Sequence, residues 1–167
     1  QCIQACREHP EQPRWERLDD VPARGAELLA AGHPLAWFQG RMEFGPRALG
    51  NRSILGSPNA PGIADRINQQ IKYRERWRPF CPSLLDRVAA DILQSEHPAP
   101  YMTITFPVAE HWKDRIPEVV HEDGTARVQT VREADNPLFH ALISAFAEIT
   151  AIPGDFSEFT FKPLILQ

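Results

Sequence analysis

Arginine recurs where glycine frees the backbone, in the run Arg41-Met-Glu-Phe-Gly45-Pro-Arg47-Ala-Leu-Gly50-Asn51-Arg52-Ser53. Gly45 and Gly50 permit positive φ or close backbone approach, and the planar forks of Arg41, Arg47 and Arg52 match phosphate or carboxylate oxygens. Such a loop can hold an anion; the competing reading is a surface loop whose arginines pair with acids elsewhere. A second group of cations follows at Lys72, Arg74, Arg76 and Arg78, with Glu75 the one acid among them. Cations in the last turn of a helix gain about 0.3 to 1 kcal/mol each from its dipole, which accounts for one or two of the four. Lys72 and Arg76 share a helical face, Arg78 lies beyond it against Pro79, and four neighbouring cations repel unless an anion joins them. The third candidate is His121-Glu-Asp123-Gly124-Thr125-Ala-Arg127-Val-Gln129. Read as strand, turn and strand, it sends Thr125, Arg127 and Gln129 to one face and Ala126 and Val128 to the other. That polar face is either a place to read a ligand or the wet side of a sheet.

Other residues offer less. The histidines lack metal-ligand spacing. Cys81, between Phe80 and Pro82, reads as a buried small hydrophobe rather than a nucleophile. Trp15, Trp37, Trp77 and Trp112 are scattered and read as packing residues. No Walker or dinucleotide fingerprint is present, so a nucleotide would need another type of pocket.

The elements that must position these residues follow from periodicity and punctuation. Val21 to Ala31 is predicted helical, with Asp19 or Asp20 as cap and Gly32 and Pro34 as stops. Leu35 to Gln39 reads as a buried strand leading into the arginine loop. Ile63, Ile67 and Ile71 recur every four residues and predict a helix that ends before Pro79, carrying the second cation group at its end. Ser83 and Asp86 resemble a capping box opening a helix over Leu84, Leu85, Val88, Ala89, Ile92 and Leu93. Met102, Ile104, Phe106 and Val108 alternate with Thr103 and Thr105 as a half-buried strand does. Val119 to His121 and Ala126 to Val131 read as two strands about Asp123-Gly124. Asn136 and Pro137 start a helix with Leu138, Leu142, Ile143, Phe146 and Ile149 on its apolar side. Mixed strands and helices in this order favour an α/β or α+β domain.

Composition sets bounds on all this. With 167 residues, 43% of them hydrophobic and 24% charged, the chain fits one ordinary globular domain. No apolar run approaches the roughly 20 residues of a spanning helix, so no membrane partner is expected, and Cys2, Cys6 and Cys81 suit a reducing cytoplasm. The formal charge of −4 gives no global reason to expect nucleic acid, yet residues 41 to 78 hold eight of the 18 Lys and Arg and only three of the 22 acids. A start at Gln1 rather than Met hints at a piece of a longer polypeptide. Residues 1–17 read as a leader or linker, 18–152 as the domain, and 153–167 as a divergent tail.

The run from Gly40 to Leu55, followed by Ile71-Lys-Tyr-Arg-Glu75, Arg78-Pro-Phe80 and Asp123-Gly-Thr-Ala-Arg-Val-Gln129, resembles the C-terminal domain of the O-carbamoyltransferases. Those enzymes modify nodulation factors and antibiotics such as tobramycin, novobiocin and the cephamycins. The resemblance implies an α/β domain with a YrdC-like twisted mixed sheet flanked by helices, similar to YrdC and Sua5. It implies that this domain makes carbamoyl-adenylate from carbamoyl phosphate and ATP, with Mg²⁺ accompanying the nucleotide. An N-terminal, metal-binding Kae1-like domain would then pass the carbamoyl group to a hydroxyl.

Carried onto this chain, the family's basic substrate-site residues fall on Arg47, Lys72, Arg78 and Arg127. Arg41, Gly45, Asn51, Arg52, Ser53, Arg74, His121, Thr125 and Gln129 are the expected substrate-binding neighbours, converging with the four on one concave face. Two departures from the pattern matter. No Kae1-like region or metal site is present, so complete transfer is not expected from this chain alone. After Ile152 the family continues into an Asn-Thr-Ser-Phe-Asn segment beside the nucleotide, whereas here Pro153 to Gln167 reads differently, with Phe156, Phe159 and Phe161 expected to pack on the domain. Carbamoyl-adenylate formation is therefore expected to be weak and carbamoyl phosphate binding to survive better. The rival readings are a degenerate remnant that binds phosphate ligands or a sister domain, and an RNA-binding module, which the net charge disfavours.

Overall fold

In the computed structural model, residues 4, 8, 9, 14–75 and 77–150 are described. The expectations for the 153–167 tail and for Arg76 lie outside them. Helix α1, Val21–Ala30, begins where the Asp20 carboxylate accepts the Ala23 N–H at 2.9 Å, one of the two expected caps. Strand β1, Leu35–Phe38, pairs antiparallel with β2, Arg52–Leu55, so the arginine loop is the connection of a long hairpin with Phe38 opposite Arg52. The expected burial of β1 is incomplete: Trp37 is buried but Phe38 is 77% exposed, because this two-stranded ladder covers one face only.

Helix α2, Ile63–Ile67, runs into a π-helical turn, Asn68–Lys72, that ends at Tyr73 with φ +50°. The isoleucine spacing therefore marks a helix, with its last turn widened. Strand β3, Ser83–Leu85, stands where a helix start was expected, and it pairs parallel with β6, Gln129–Val131. All three β3 residues are buried, and the Ser83 hydroxyl donates to Gln129 Oε1 at 2.8 Å instead of capping a helix. A 3₁₀ turn, Asp86–Val88, then leads into helix α3, Ala89–Leu93.

Strand β4 is confined to Thr105–Pro107, since Met102 takes φ +52° and cannot continue it; β4 pairs antiparallel with β5, Thr125–Arg127. Between them lie helix α4, Glu110–Lys113, and a 3₁₀ turn, Pro117–Val119; no strand forms over the expected Val119 to His121, and the strand expected over Ala126 to Val131 is broken at Val128, its two parts pairing with different partners. Helix α5, Pro137–Thr150, closes the described fold. Its buried side is Phe139, Leu142, Ile143 and Phe146, while Leu138 and Ile149 are exposed, a rotation of the expected stripe by about one position.

These elements form a mixed α/β architecture with three two-stranded ladders. One core gathers Ile67, Phe80, Leu84, Ile92, Phe106, Trp112 and Val128; the other gathers Leu29, Trp37, Leu55, Leu85, Phe139 and Phe146. The β3/β6 pair lies between them, with adjacent Leu84 and Leu85 facing opposite cores as strand alternation requires. No helix among the described residues is long and apolar enough to cross a membrane.

Asn136 ties α5 to the hairpin. Its Oδ1 accepts the Phe139 N–H at 3.3 Å and Gln39 Nε2 at 2.6 Å, and its Nδ2 donates to Asn51 Oδ1 at 3.0 Å. Asn136→Ala removes cap and latch together, and we expect a loss of about 2 kcal/mol in chemical denaturation. Asn136→Asp keeps the cap and should recover part of it; equal stability of Asn136→Ala and wild type would dismiss the latch.

Candidate functional site

The arginine loop is built around an acid rather than around its arginines. Glu43 Oε1 accepts the backbone N–H groups of Leu49 and Asn51 at 2.7 Å and of Arg52 at 3.4 Å. Arg52 turns inward: Nη1 donates to the carbonyls of Gln39 and Asn51, Nη2 donates to that of Gly40, and the guanidinium stacks 3.3 Å from the Phe38 ring centroid. Asn51 donates to the Arg41 carbonyl, and Ser53 Oγ accepts the Gly50 N–H. Asn51, Arg52 and Ser53 thus hold the loop in shape. Arg41 and Gly45 lie on its exposed part, and Arg47 is half-buried with an enclosed Nε that has no hydrogen-bond partner. The loop is fixed to the strands by Gln129 Nε2, which donates to the Leu49 carbonyl at 3.0 Å.

The helix end and the polar strand come together. Tyr73, in its left-handed conformation, reverses the chain so that the Arg74 N–H donates to the Asn68 carbonyl at 3.1 Å, and Arg74 Nε donates to the buried Asn68 side chain. The Arg74 guanidinium lies 4.6 Å from the Phe80 ring centroid and interacts electrostatically with Cys81. From the other side, Arg127 brings Nε and Nη2 to within 3.1 and 3.0 Å of Cys81 Sγ. Arg78 is exposed and paired with Glu75 at 2.9 Å, close enough to Arg74 to lower its pKa. Lys72 is half-buried, and desolvation, with the Arg74 charge second, pulls its pKa down to about 7. Lys72 and Arg78 thus act on Arg74, and Arg74 and Arg127 both act on Cys81, so the four cations are linked through Arg74 and Cys81, with Glu75 paired to Arg78 and the charged forms of Lys72 and Arg74 disfavoured. A dianion placed there would reverse that balance.

Beside Arg127 the strand continues the site. His121 Nδ1 lies 3.1 Å from Thr125 Oγ1, and Asp123 Oδ1 accepts both the Thr125 hydroxyl at 2.7 Å and its N–H at 3.0 Å. Burial, and then the Arg127 charge, lower the His121 pKa against an opposing pull from Asp123. Gln129 shares the Arg127 side of the chain but is buried between Ser83 and Leu49. It also lines a cavity of about 480 Å³, with Glu43, Asn51, Tyr101 and Asn136 among its walls. Among the described residues no group of three or more His, Cys, Asp or Glu is placed to hold a metal ion.

Three contributors were not legible as such in the sequence. Glu43 and Asn68 act on partners six or more residues away through loop geometry, which no local pattern announces. Cys81 is buried as expected, yet its sulfur accepts from two nitrogens of Arg127 and acts electrostatically on Arg74. Asp123 did carry a signal, since Asp-Gly-Thr is a sequence that folds the Asp side chain onto the backbone two residues on.

The family model described as Carbamoyltransferase C-terminus matches residues 26–154. The chain is 45% identical over 141 residues to the nodulation protein NolNO of Sinorhizobium fredii, covering 83% of this chain and 21% of that protein. It is 39% identical over 141 residues to nodulation protein U of Rhizobium tropici, covering 84% and 24% respectively. A Methanocaldococcus jannaschii protein, MJ1058, is 44% identical over 129 residues, 77% of this chain and 21% of that one. The chain thus spans about a fifth to a quarter of the length of the curated relatives it matches.

Proposed function

Because the chain belongs to the carbamoyltransferase C-terminal family, we propose that it binds carbamoyl phosphate and ATP and forms carbamoyl-adenylate for transfer to a hydroxyl elsewhere in a longer protein. The observation that carries this reading is the linked set of cations, Lys72 and Arg78 acting on Arg74, and Arg74 and Arg127 acting on Cys81. Carbamoyl phosphate and the ATP phosphates bring several negative charges together, and a preset group of cations offsets their repulsion without reorganising. Guanidinium forks suit phosphate oxygens by geometry as well as charge. The chemistry is an attack of the carbamate oxygen on the α-phosphorus of ATP with departure of pyrophosphate, carbamate arising when water releases phosphate from carbamoyl phosphate. The chain's own part in it is electrostatic and positional, with no protein nucleophile.

The cations suit the phosphates of ATP, and the cavity beside Gln129, about 480 Å³, gives a nucleoside room. Mg²⁺ would arrive on the nucleotide's phosphates, since the metal usually keeps waters and takes few protein ligands. On this reading the ladders belong to a YrdC-like fold, the protein is cytoplasmic, and the partner is an N-terminal Kae1-like domain that carries its own metal and accepts the carbamoyl-adenylate.

Titration calorimetry with carbamoyl phosphate, and carbamoyl phosphate-dependent exchange of pyrophosphate into ATP, test the reading. Saturable carbamoyl phosphate binding is expected, with Arg127→Ala weakening it by about 1.5 kcal/mol, roughly tenfold, while the fold persists. Exchange above background supports adenylate formation. Absence of carbamoyl phosphate binding in the wild type would end the proposal, and binding without exchange would reduce it to ligand capture.

A further inference from the structure

Within the proposed site, one group offers what the cations cannot. The Thr125 hydroxyl has a single proton, and the Asp123 carboxylate, kept ionised by bonds from Thr125 that lower its pKa, can only accept. That proton therefore goes to Asp123, and Thr125 Oγ1 must accept from His121 Nδ1. The relay fixes the imidazole as the tautomer protonated on Nδ1 and leaves Nε2 as a bare lone pair. This Nε2 is enclosed and has no hydrogen-bond partner, although His121 as a whole is only half-buried, so it lies just beneath the surface. An enclosed acceptor left empty is costly, by an amount comparable to a lost hydrogen bond, unless a ligand supplies the donor.

The position of that lone pair is informative. Thr125 and Arg127 are two residues apart on β5 and share a face, and the His121 ring rests on the Thr125 side chain close enough to Arg127 to feel its charge. The side chains of Lys72, Arg74, Arg78 and Arg127 only donate. They suit phosphate oxygens and cannot recognise an amide N–H.

We propose that His121 Nε2 accepts a hydrogen bond from the NH₂ group of carbamoyl phosphate, so that the Asp123–Thr125–His121 relay is the specificity determinant that distinguishes a carbamoyl from an acetyl group. This rests on the carbamoyl phosphate site proposed above. His121 is a substrate-positioning residue, and Thr125 and Asp123 act through it. Acetyl phosphate has the same charge and nearly the same shape, with a methyl group in place of the amine, and would leave Nε2 unpaired. Sites built to bond a substrate N–H discriminate strongly against analogues that lack it.

The test is competition binding of carbamoyl phosphate, acetyl phosphate and inorganic phosphate to the full chain and three variants. Wild type should prefer carbamoyl over acetyl phosphate by roughly tenfold or more. His121→Phe should bring that ratio close to one while leaving inorganic phosphate affinity within about twofold, since the cations remain. His121→Gln, which retains an acceptor, should restore part of the preference. Thr125→Val should lower it by freeing the tautomer. Nitrogen-15 spectra of wild type supply a reading that needs no variant to fold: Nδ1 should be protonated and Nε2 bare, with Nε2 shifting on addition of carbamoyl but not acetyl phosphate. Equal wild-type affinity for the two acyl phosphates, or a protonated Nε2, would overturn the inference and leave the anion site standing. Failure of wild type to bind either acyl phosphate would overturn both.

Discussion

Lys72→Met is expected to raise the stability of the ligand-free protein and to remove most of its affinity for carbamoyl phosphate. The Lys72 pKa is lowered from 10.5 to about 7, first by burial and then by the Arg74 charge. The unfolded chain therefore binds more protons than the folded one between about pH 7 and pH 10.5, and the contribution of this residue to stability rises with pH across that window. Below pH 7 the folded protein must carry the charge, and the full penalty is present. A shift of this size corresponds to roughly 5 kcal/mol unscreened. Lys72 is only half-buried, so screening by water reduces the expected gain for Lys72→Met to about 1 to 2 kcal/mol near pH 7. That is a rise of roughly 2 to 8 °C in Tm. The substitution should also flatten the dependence of Tm on pH between about 7 and 10.

Binding should move the opposite way. An anion beside Lys72 favours the ammonium, so at pH 8 wild type should take up protons as phosphate or carbamoyl phosphate binds, and the calorimetric enthalpy should vary with the ionisation enthalpy of the buffer. Lys72→Met should lose that variation together with up to about 3 kcal/mol of affinity, the upper range for a charge-assisted bond. A variant less stable than wild type at pH 7, with unchanged affinity, would mean that Lys72 packs for stability and faces no anion.

The two arginines on which the site reading turns show how far sequence can reach. In the sequence Arg52 and Arg127 are alike, each a guanidinium beside a small residue, Ser53 or Ala126, in a motif rich in polar groups. Arg52 spends its donors on the carbonyls of Gln39, Gly40 and Asn51, whereas Arg127 presents its donors to a sulfur at the edge of a cationic cluster. The difference lies in where the chain returns, which depends on the 13-residue reach of a hairpin in one case and the 46-residue separation from Cys81 in the other. Periodicity was more informative within elements. It located α1, α2 and α5, whose apolar spacing needs only local geometry. It failed at Ser83, where the capping-box pattern and the buried strand use the same residues, and only the parallel partner at Gln129 decides between them. It also failed at Leu138, where a helix presents two candidate stripes and the Gly50 loop selects the one that contains Phe139.

That selection makes Gly50→Ala the most damaging small substitution we expect in the domain. Gly50 has φ +98°, and a Cβ there would stand 2.3 Å from Phe139 Cδ1 and 2.6 Å from its Cγ. Phe139 is fully buried in the core of α1, β1 and α5, so the ring has no free volume to enter. Left-handed strain of about 1 to 2 kcal/mol and overpacking of about 1 to 3 kcal/mol together give an expected loss of roughly 2 to 5 kcal/mol. That is a large fraction of the roughly 5 to 15 kcal/mol that holds a typical domain folded. Gly45→Ala separates the two contributions: its φ of +135° is also unfavourable, but nothing lies within 4 Å of the added atom, so only strain remains. The difference between the variants in urea denaturation is the cost of the Phe139 contact. Function should suffer along with stability, because Leu49 precedes Gly50 and its carbonyl holds Gln129, which in turn is bonded to Ser83 across the β3/β6 ladder. A Gly50→Ala protein within about 0.5 kcal/mol of wild type would show that the loop can withdraw from α5 freely, and that the hairpin does not fix the position of Arg47 relative to the strand carrying Arg127.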